Sequence, residues 1–441
     1  MALTKIPLKE INRLAIPAIF AGIVDPLIAL TDAAVAGNLQ QNGARALAAV
    51  GVVGSFLSAL IWILAQTRAA TSTLVSQYLG SGRLTRVQGL LPQVFLFNFL
   101  LSLLISIALL PFSSLIFKTF FQVQGLTLSY CLSYFRIRIW GFPLTLVTFA
   151  IFGVFRGLQN TSWAMQISLI GGLLNAGLDW LFAYGLHWGV PGVAYASLCA
   201  QLVMFGLAGV YFFSKTSGYL LLRGKLHPEF KPWLAISFNL FIRTAALEIA
   251  IVLANRFAAS YGTAALAAQS ILMNLWLFSA FFIDGYAAAG NAIAGKLLGG
   301  RDYRKLWLLG IDLGKYSAGV ALALALCYAI GYYPIGRIFT GETLVLERFY
   351  RVFWLVILMQ PLNALAFTFD EIYKGLGKAV FLRNLLLAAT FLGFIPTLYL
   401  TDYLGWGLYA VWIAFSIWML VRMLGLWFNF KSAYSQNKSY A

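Results

Sequence analysis

Charge is scarce in this chain. Of its 441 residues only 10% are Asp, Glu, Lys or Arg, against about 25% in a soluble globular domain. Too few polar side chains remain to cover a water-exposed surface, which excludes a soluble protein of this size. Histidine is nearly missing: His187 and His227 are the two copies, far apart. The three cysteines, Cys131, Cys199 and Cys327, stand singly in apolar runs. These absences exclude a His/Cys metal centre and a disulfide framework. No cluster of His, Ser/Lys or metal ligands of the kind an enzyme needs can be assembled either. Acid is scarcest of all, 14 residues against 31 basic ones, for a net charge of +17. The basic residues lie in short segments between apolar runs and not on one polar domain. That is the pattern of loops facing anionic lipid, and it argues against nucleic acid as a partner. The first apolar run is not followed by an A-x-A-like site, so a cleavable signal is not expected.

What is present is apolar. Hydrophobic residues make up 61% and aromatics 16%, with 13 Trp, a composition suited to helices anchored at two membrane interfaces. Stretches of the roughly 20 apolar residues that span a bilayer fall near 11–38, 46–79, 88–117, 126–155, 161–186, 190–214, 232–260, 264–298, 304–331, 345–373, 379–401 and 404–430. The expected fold is therefore an all-α integral membrane protein with twelve transmembrane helices. Lys5, Lys9, Arg13, Arg83, Arg86, Arg223, Lys374 and Lys438 belong to the strongly basic set of connections. Arg45, Lys118 and Arg337 mark the other, poorer set. The positive-inside rule then puts both termini in the cytoplasm.

The sequence also repeats itself. Ala46-Leu47-Ala48-Ala49 recurs as Ala265-Leu266-Ala267-Ala268, and Leu79-Gly80 as Leu298-Gly299. Gly157-Leu158 recurs as Gly375-Leu376, and Trp188-Gly189 as Trp406-Gly407. An ordered set of matches at nearly one offset marks an internal duplication. The polar stretch Ser214–Pro232 separates the copies. The expected domains are a six-helix bundle at 1–217, a cytoplasmic linker at 218–231 and a second bundle at 232–441. Two halves with even numbers of spans enter from the same side. Their symmetry axis then runs along the membrane normal, with a central cavity between them.

Ionisable groups inside spans need a reason to be there, because burying a charge in hydrocarbon is costly. Asp32 lies in the first span and Asp179 in the fifth. Asn175 is one turn before Asp179 and shares its helix face. Two carboxylates and an amide form a hard-oxygen site for a proton or a sodium ion. Asp284 in the eighth span fits either an ion pair with Arg243 or Arg256, or a substrate contact. Asp25 precedes Pro26 and reads as a locally satisfied group at a kink. Arg68, Arg136 and Arg138 read as snorkelling side chains, the default near span ends, or as lining of a polar cavity, and Glu248 is left without a role. Pro17 and Pro26 interrupt the hydrogen bonding of the first span and make a bend there cheaper.

At these residues the chain resembles a known family. The runs LAIPAIFAGIVDPLIALTDAAVAG, LLNAGLDWLFAYGLHWGVPGVAYAS and IDGYAAAGNAIAGKLLGGRD are similar to those of the multidrug and toxic compound extrusion (MATE) transporters, in particular the DinF-like branch. The resemblance implies two pseudo-symmetric six-helix bundles in a V around a central cavity, and export by alternating access. It places a cation or proton coupling site on Asp32, Tyr134, Asn175, Asp179 and Ser197, where many members carry threonine at the last position. It assigns Pro17 to bending of the first helix. Thr31-Asp32-Ala33 stands where many members have Asp-Thr. The implied function is a secondary antiporter, coupled to protons before sodium, for amphiphilic or cationic organic compounds. The implied location is the cell membrane, as a monomer without a further cofactor. Aromatics such as Trp140, Phe152, Trp163, Trp276 and Phe278 are candidates to line its substrate chamber. An exporter of citrate-like organic anions and a lipid-precursor flippase are the alternatives within the superfamily; a channel or membrane enzyme is the alternative outside it. The scaffold repeats but the acids do not: Asp32 falls opposite Asn255, Asp179 opposite Thr397 and Asp284 opposite Ala65.

Overall fold

The computed structural model describes residues 6–39, 42–216 and 225–435, without the side chain of Asp25. Lys5, Arg223, Lys438, linker residues 218–224 and the Asp25 side chain lie outside the described residues. Eleven helices among the described residues are long and apolar enough to cross a membrane, and a bent pair supplies a twelfth. In chain order they are α1 (Leu8–Gly37), α2 (Gly43–Gly80), α3 (Leu84–Phe120) and α4 (Gly125–Arg138 with Gly141–Gly157). Then come α5 (Ser162–Gly185), α6 (Gly189–Lys215), α7 (Phe230–Ser260) and α8 (Thr263–Gly299). The last four are α9 (Tyr303–Ile330), α10 (Thr343–Gly375), α11 (Ala379–Tyr403) and α12 (Leu408–Tyr434). A short helix, Tyr332–Phe339, precedes α10. With no water in the hydrocarbon, the backbone must satisfy its own hydrogen bonds, and the helix does this within one segment.

The two prolines of α1 do not interrupt it: the helix is continuous from Leu8 to Gly37. The sharp break is in α4, where the two segments meet at 48°. Pro143 has no N–H to give the carbonyl of Ile139 four residues back. That carbonyl accepts the Phe142 N–H at 3.1 Å and the Ser106 hydroxyl from α3 at 3.2 Å. The corner therefore has a local cause and a local cap.

The chain forms two compact units. One comprises residues 20–78 and 83–234, the other 1–19, 79–82 and 235–441. This differs from the sequence division in three places. The start of α1 belongs with the second unit, and so does the α2–α3 turn. The described part of the linker belongs with the first. Its His227 N–H donates to Gln93 Oε1 at 3.0 Å, Tyr78 donates to Glu229 at 2.6 Å, and the Trp233 indole donates to Thr71 at 3.1 Å.

The duplication is written in the backbone. Residues with left-handed φ recur in order: Asn42 and Gly262, Gly82 and Arg301, Gln159 and Gly377, His187 and Gly405, Gly189 and Gly407. Gly82 and Arg301 end α2 and α8 with the same pair of closing bonds. Gly82 N–H reaches Leu79 O and Arg83 N–H reaches Tyr78 O; Arg301 N–H reaches Leu298 O and Asp302 N–H reaches Leu297 O. This left-handed C-cap satisfies carbonyls that the helix leaves open. Close helix crossings recur too. A Cβ at Gly157 would lie 2.6 Å from Val75 Cβ and 3.0 Å from the Ser72 carbonyl oxygen. A Cβ at Gly375 would lie 2.2 Å from the Asn291 carbonyl oxygen. Small residues at both crossings let the helices approach to backbone contact.

Candidate functional site

Four helices of the first unit bring one polar cluster together. Asp32 comes from α1, Tyr134 from α4, Asn175 and Asp179 from α5, and Ser197 from α6. All five are at most 1% exposed. Asp32 Oδ2 accepts the hydroxyls of Tyr134 and Ser197, each at 2.7 Å. Its Oδ1 accepts Asn175 Nδ2 at 3.3 Å, and the same amide reaches Ser197 Oγ at 3.2 Å. One turn beyond Asp32, the Val35 carbonyl accepts the Tyr184 hydroxyl from α5 at 2.8 Å, which fixes the register of α1 against α5. Asp32 is thus surrounded by hydrogen-bond donors.

Asp179 is in the opposite condition. Neither of its oxygens has a hydrogen-bond partner, nor does Asn175 Oδ1. The Asp179 carboxyl nevertheless lies within hydrogen-bonding reach of the Asp32 carboxyl, so that a proton on either acid can be shared between them, and it also feels the charge of Arg138. Buried acceptors without donors are costly, and two carboxylates sharing a site cannot both stay ionised without a compensating cation. The cluster therefore has the chemistry to take up one positive charge. The predicted coupling set is brought together in full. Of the two readings of Arg138, snorkelling and lining a polar cavity, the side chain takes the inward one and donates Nε–H to the Tyr134 hydroxyl at 3.3 Å.

The second unit holds a different cluster. Asp370 Oδ1 accepts Arg243 Nη2 at 2.5 Å and Nε at 3.2 Å. Arg422 Nη2 lies 3.5 Å from the same oxygen, and Lys374 Nζ lies 3.3 Å from Oδ2. Lys374 also holds Glu371 at 2.5 Å. Arg422 sits over the Trp418 ring at 4.8 Å and the Phe367 ring at 5.6 Å. Arg243 therefore bonds an acid that sequence reasoning missed. Asp284 lies on an exposed side of α8, and its charge acts on Arg422. Signals for this cluster were available. Asp370 and Lys374 are one turn apart, and Arg422 stands in the middle of an otherwise apolar helix.

The candidate aromatic lining is not brought together. Trp140 is exposed, while Trp163 packs edge-on against Phe155 at 5.2 Å. Phe152 is buried and Phe278 is half exposed. Trp276 is enclosed in the core of the second unit, stacked on Phe415 at 5.9 Å. Arg68 lies over Phe149, and Arg136 and Arg256 are exposed.

The sequence model of the MatE family matches residues 17–181 and 241–400. The chain belongs to the MatE family. It is a multi-pass membrane transporter and not an enzyme. Among similar proteins, the DNA damage-inducible protein F of Escherichia coli (strain K12) is 26% identical over 423 residues, 95% of this chain and 91% of that protein. The probable multidrug resistance protein NorM of Thermotoga maritima is 23% identical over 426 residues, 92% of this chain and 88% of that protein. The fold is also that of an outward-facing multidrug resistance MATE transporter, with a TM-score of 0.88 at 21% identity, covering 97% of this chain and 96% of that one. Both stretches matched by the MatE model contain one copy of the duplication. Asp32 and Asp179 fall in the first stretch and Asp370 in the second.

Proposed function

We propose that this MatE transporter is a cation-coupled antiporter that exports amphiphilic or cationic organic compounds across the cell membrane by alternating access, with both termini in the cytoplasm. The observation that carries this reading is the unsatisfied Asp179 carboxyl beside the saturated Asp32 carboxylate. A site that lacks one positive charge changes its free energy when a cation arrives. A ligand drives a conformational change only through unequal affinity for the two states. Asp32 is bonded to three other helices, so its loading acts on how α1 packs against α4, α5 and α6. A proton on Asp179 is favoured over sodium because Asp32 already has hydroxyl and amide donors directed at it, and a protonated Asp179 can donate to a neighbouring acceptor. The names of the E. coli and T. maritima relatives support an efflux role, and the basic loops support the orientation.

The test is gradient-driven ethidium efflux in a host stripped of its own pumps, comparing wild type with Asp32→Asn and Asp179→Asn. Both variants are expected to reach the membrane at wild-type levels and to lose the response to the imposed gradient. Undiminished coupled efflux in both would remove Asp32 and Asp179 from the mechanism.

A further inference from the structure

Arg138 closes the first segment of α4, one turn beyond Tyr134. Its Nε–H donates to the Tyr134 hydroxyl, which in turn donates to Asp32. Its charge acts on Asp32 and on Asp179. A guanidinium does not lose its proton in a protein, so this charge is permanent, whereas a proton or sodium ion comes and goes. The other titratable group at the site, Tyr184, gives its hydroxyl proton to the Val35 carbonyl. Ser197 and Asn175 are neutral.

The charges then add up simply. Two ionised carboxylates beside one guanidinium leave a single negative charge in a buried setting, where an unpaired charge is strongly penalised. One monovalent cation neutralises it. Without the guanidinium the same two acids would take two. We infer that Arg138 is a built-in counter-charge that limits the acid pair to one monovalent cation, proton or sodium, per transport cycle. This rests on the acid pair being the coupling site.

Asp179→Asn leaves Asp32 matched by Arg138, with no charge left to bind, so coupling disappears. Removing the arginine as well, in R138Q/D179N, leaves Asp32 alone and one cation short again, so coupling returns. R138Q alone should take two cations, and Arg138→Lys, which keeps the charge but not the Nε–H bond to Tyr134, should keep the count at one.

Purified full-length protein in liposomes, with ethidium as the transported probe, allows the order of the rate in cation concentration to be measured. Proton gradients without sodium, and sodium gradients at clamped pH, identify the ion. Wild type and R138K are expected to be first order, R138Q second order, and R138Q/D179N first order. An infrared count of protonated carboxyls in sodium-free buffer repeats the test without any substrate. Wild type should show one such band, lost in D179N, and R138Q should show a second one from Asp32. First-order behaviour or a single band in R138Q overturns the inference while leaving the acid pair as the coupling site. So does a double variant no better coupled than D179N. Wild-type coupling in D179N removes the acid pair itself. If R138Q is not recovered as a monodisperse protein, the double variant, which removes equal and opposite charges, decides the matter.

Discussion

Asp179 and Asp370 are both carboxylates buried on membrane-crossing helices, in opposite surroundings. Asp370 has three cations within 3.5 Å. Asp179 has no hydrogen-bond donor at either oxygen. Burial is the same and the local electrostatics are reversed. An acid locked by permanent cations has no empty place to fill, and its work is to tie α7, α10 and α12 together. An acid left short of positive charge can respond to a mobile ion. Two halves built on one repeated backbone have thus put their acids to different uses, and the difference lies in a few long basic side chains.

The comparison can be broken most sharply by removing each acid in turn. Asp370→Asn leaves Arg243, Arg422 and Lys374 facing one another, and breaking a buried pair in this way costs about 3–5 kcal/mol. A large fall in the thermal midpoint of the detergent-purified protein is expected. Asp179→Asn should move that midpoint far less, because no buried cation is bonded to the replaced group. Equal destabilisation by both would erase the distinction.

Transport should sort the other way. Asp32→Asn and Asp179→Asn are expected to reduce gradient-driven ethidium efflux about tenfold or more, within the usual range of coupling energies. Whatever Asp370→Asn protein survives should still respond to the gradient. Next in size are the two glycine crossings. Gly157→Ala and Gly375→Ala should each lower stability by about 1–3 kcal/mol through overpacking. Similar costs in the two units are the outcome that supports a shared architecture.

The smallest effect is at the start of α9. Asp302 caps that helix by accepting the Lys305 N–H at 3.0 Å, whereas Arg83, just before α3, makes no such side-chain cap. Asp302→Ala should cost about 1 kcal/mol. Partial burial pushes the Asp302 carboxyl up, but hydrogen bonds and charge from Lys305 outweigh it and hold the group below the usual carboxylate range. A depressed acid stabilises the fold above its unfolded value and loses that contribution as pH falls through its folded value. The difference between wild type and Asp302→Ala should therefore shrink as pH falls below about 4 and vanish only once pH is below the depressed value of the folded protein. A pH-independent difference would show that the cap does not act through the carboxylate.

Much of this was legible in the sequence because membrane helices announce themselves by length and apolarity. The repeat was legible because glycines and short loops kept their offset, as Gly189 and Gly407 do. Asp32 and Asp179 stood out because acids are rare in such runs. The direction of the Arg138 and Lys374 side chains was not legible. A long basic side chain near a helix end reaches either water or the protein interior, and only packing decides which. Arg138 turns inward because α4 breaks directly after it. Arg422 is held by the Trp418 and Phe367 rings as well as by Asp370. Trp276, placed in a chamber wall by its residue type, proved to be core, since aromatic character does not report direction.

The corner in α4 has a mechanical meaning. Pro143 can never give the Ile139 carbonyl the bond of a regular helix, and the Phe142 N–H and the Ser106 hydroxyl already occupy that carbonyl. Bending at this corner therefore costs α4 no further hydrogen bond. Tyr134 and Arg138 are mounted on the arm just before that corner. From there they reach the site to which α1, α5 and α6 bring Asp32, Asp179 and Ser197.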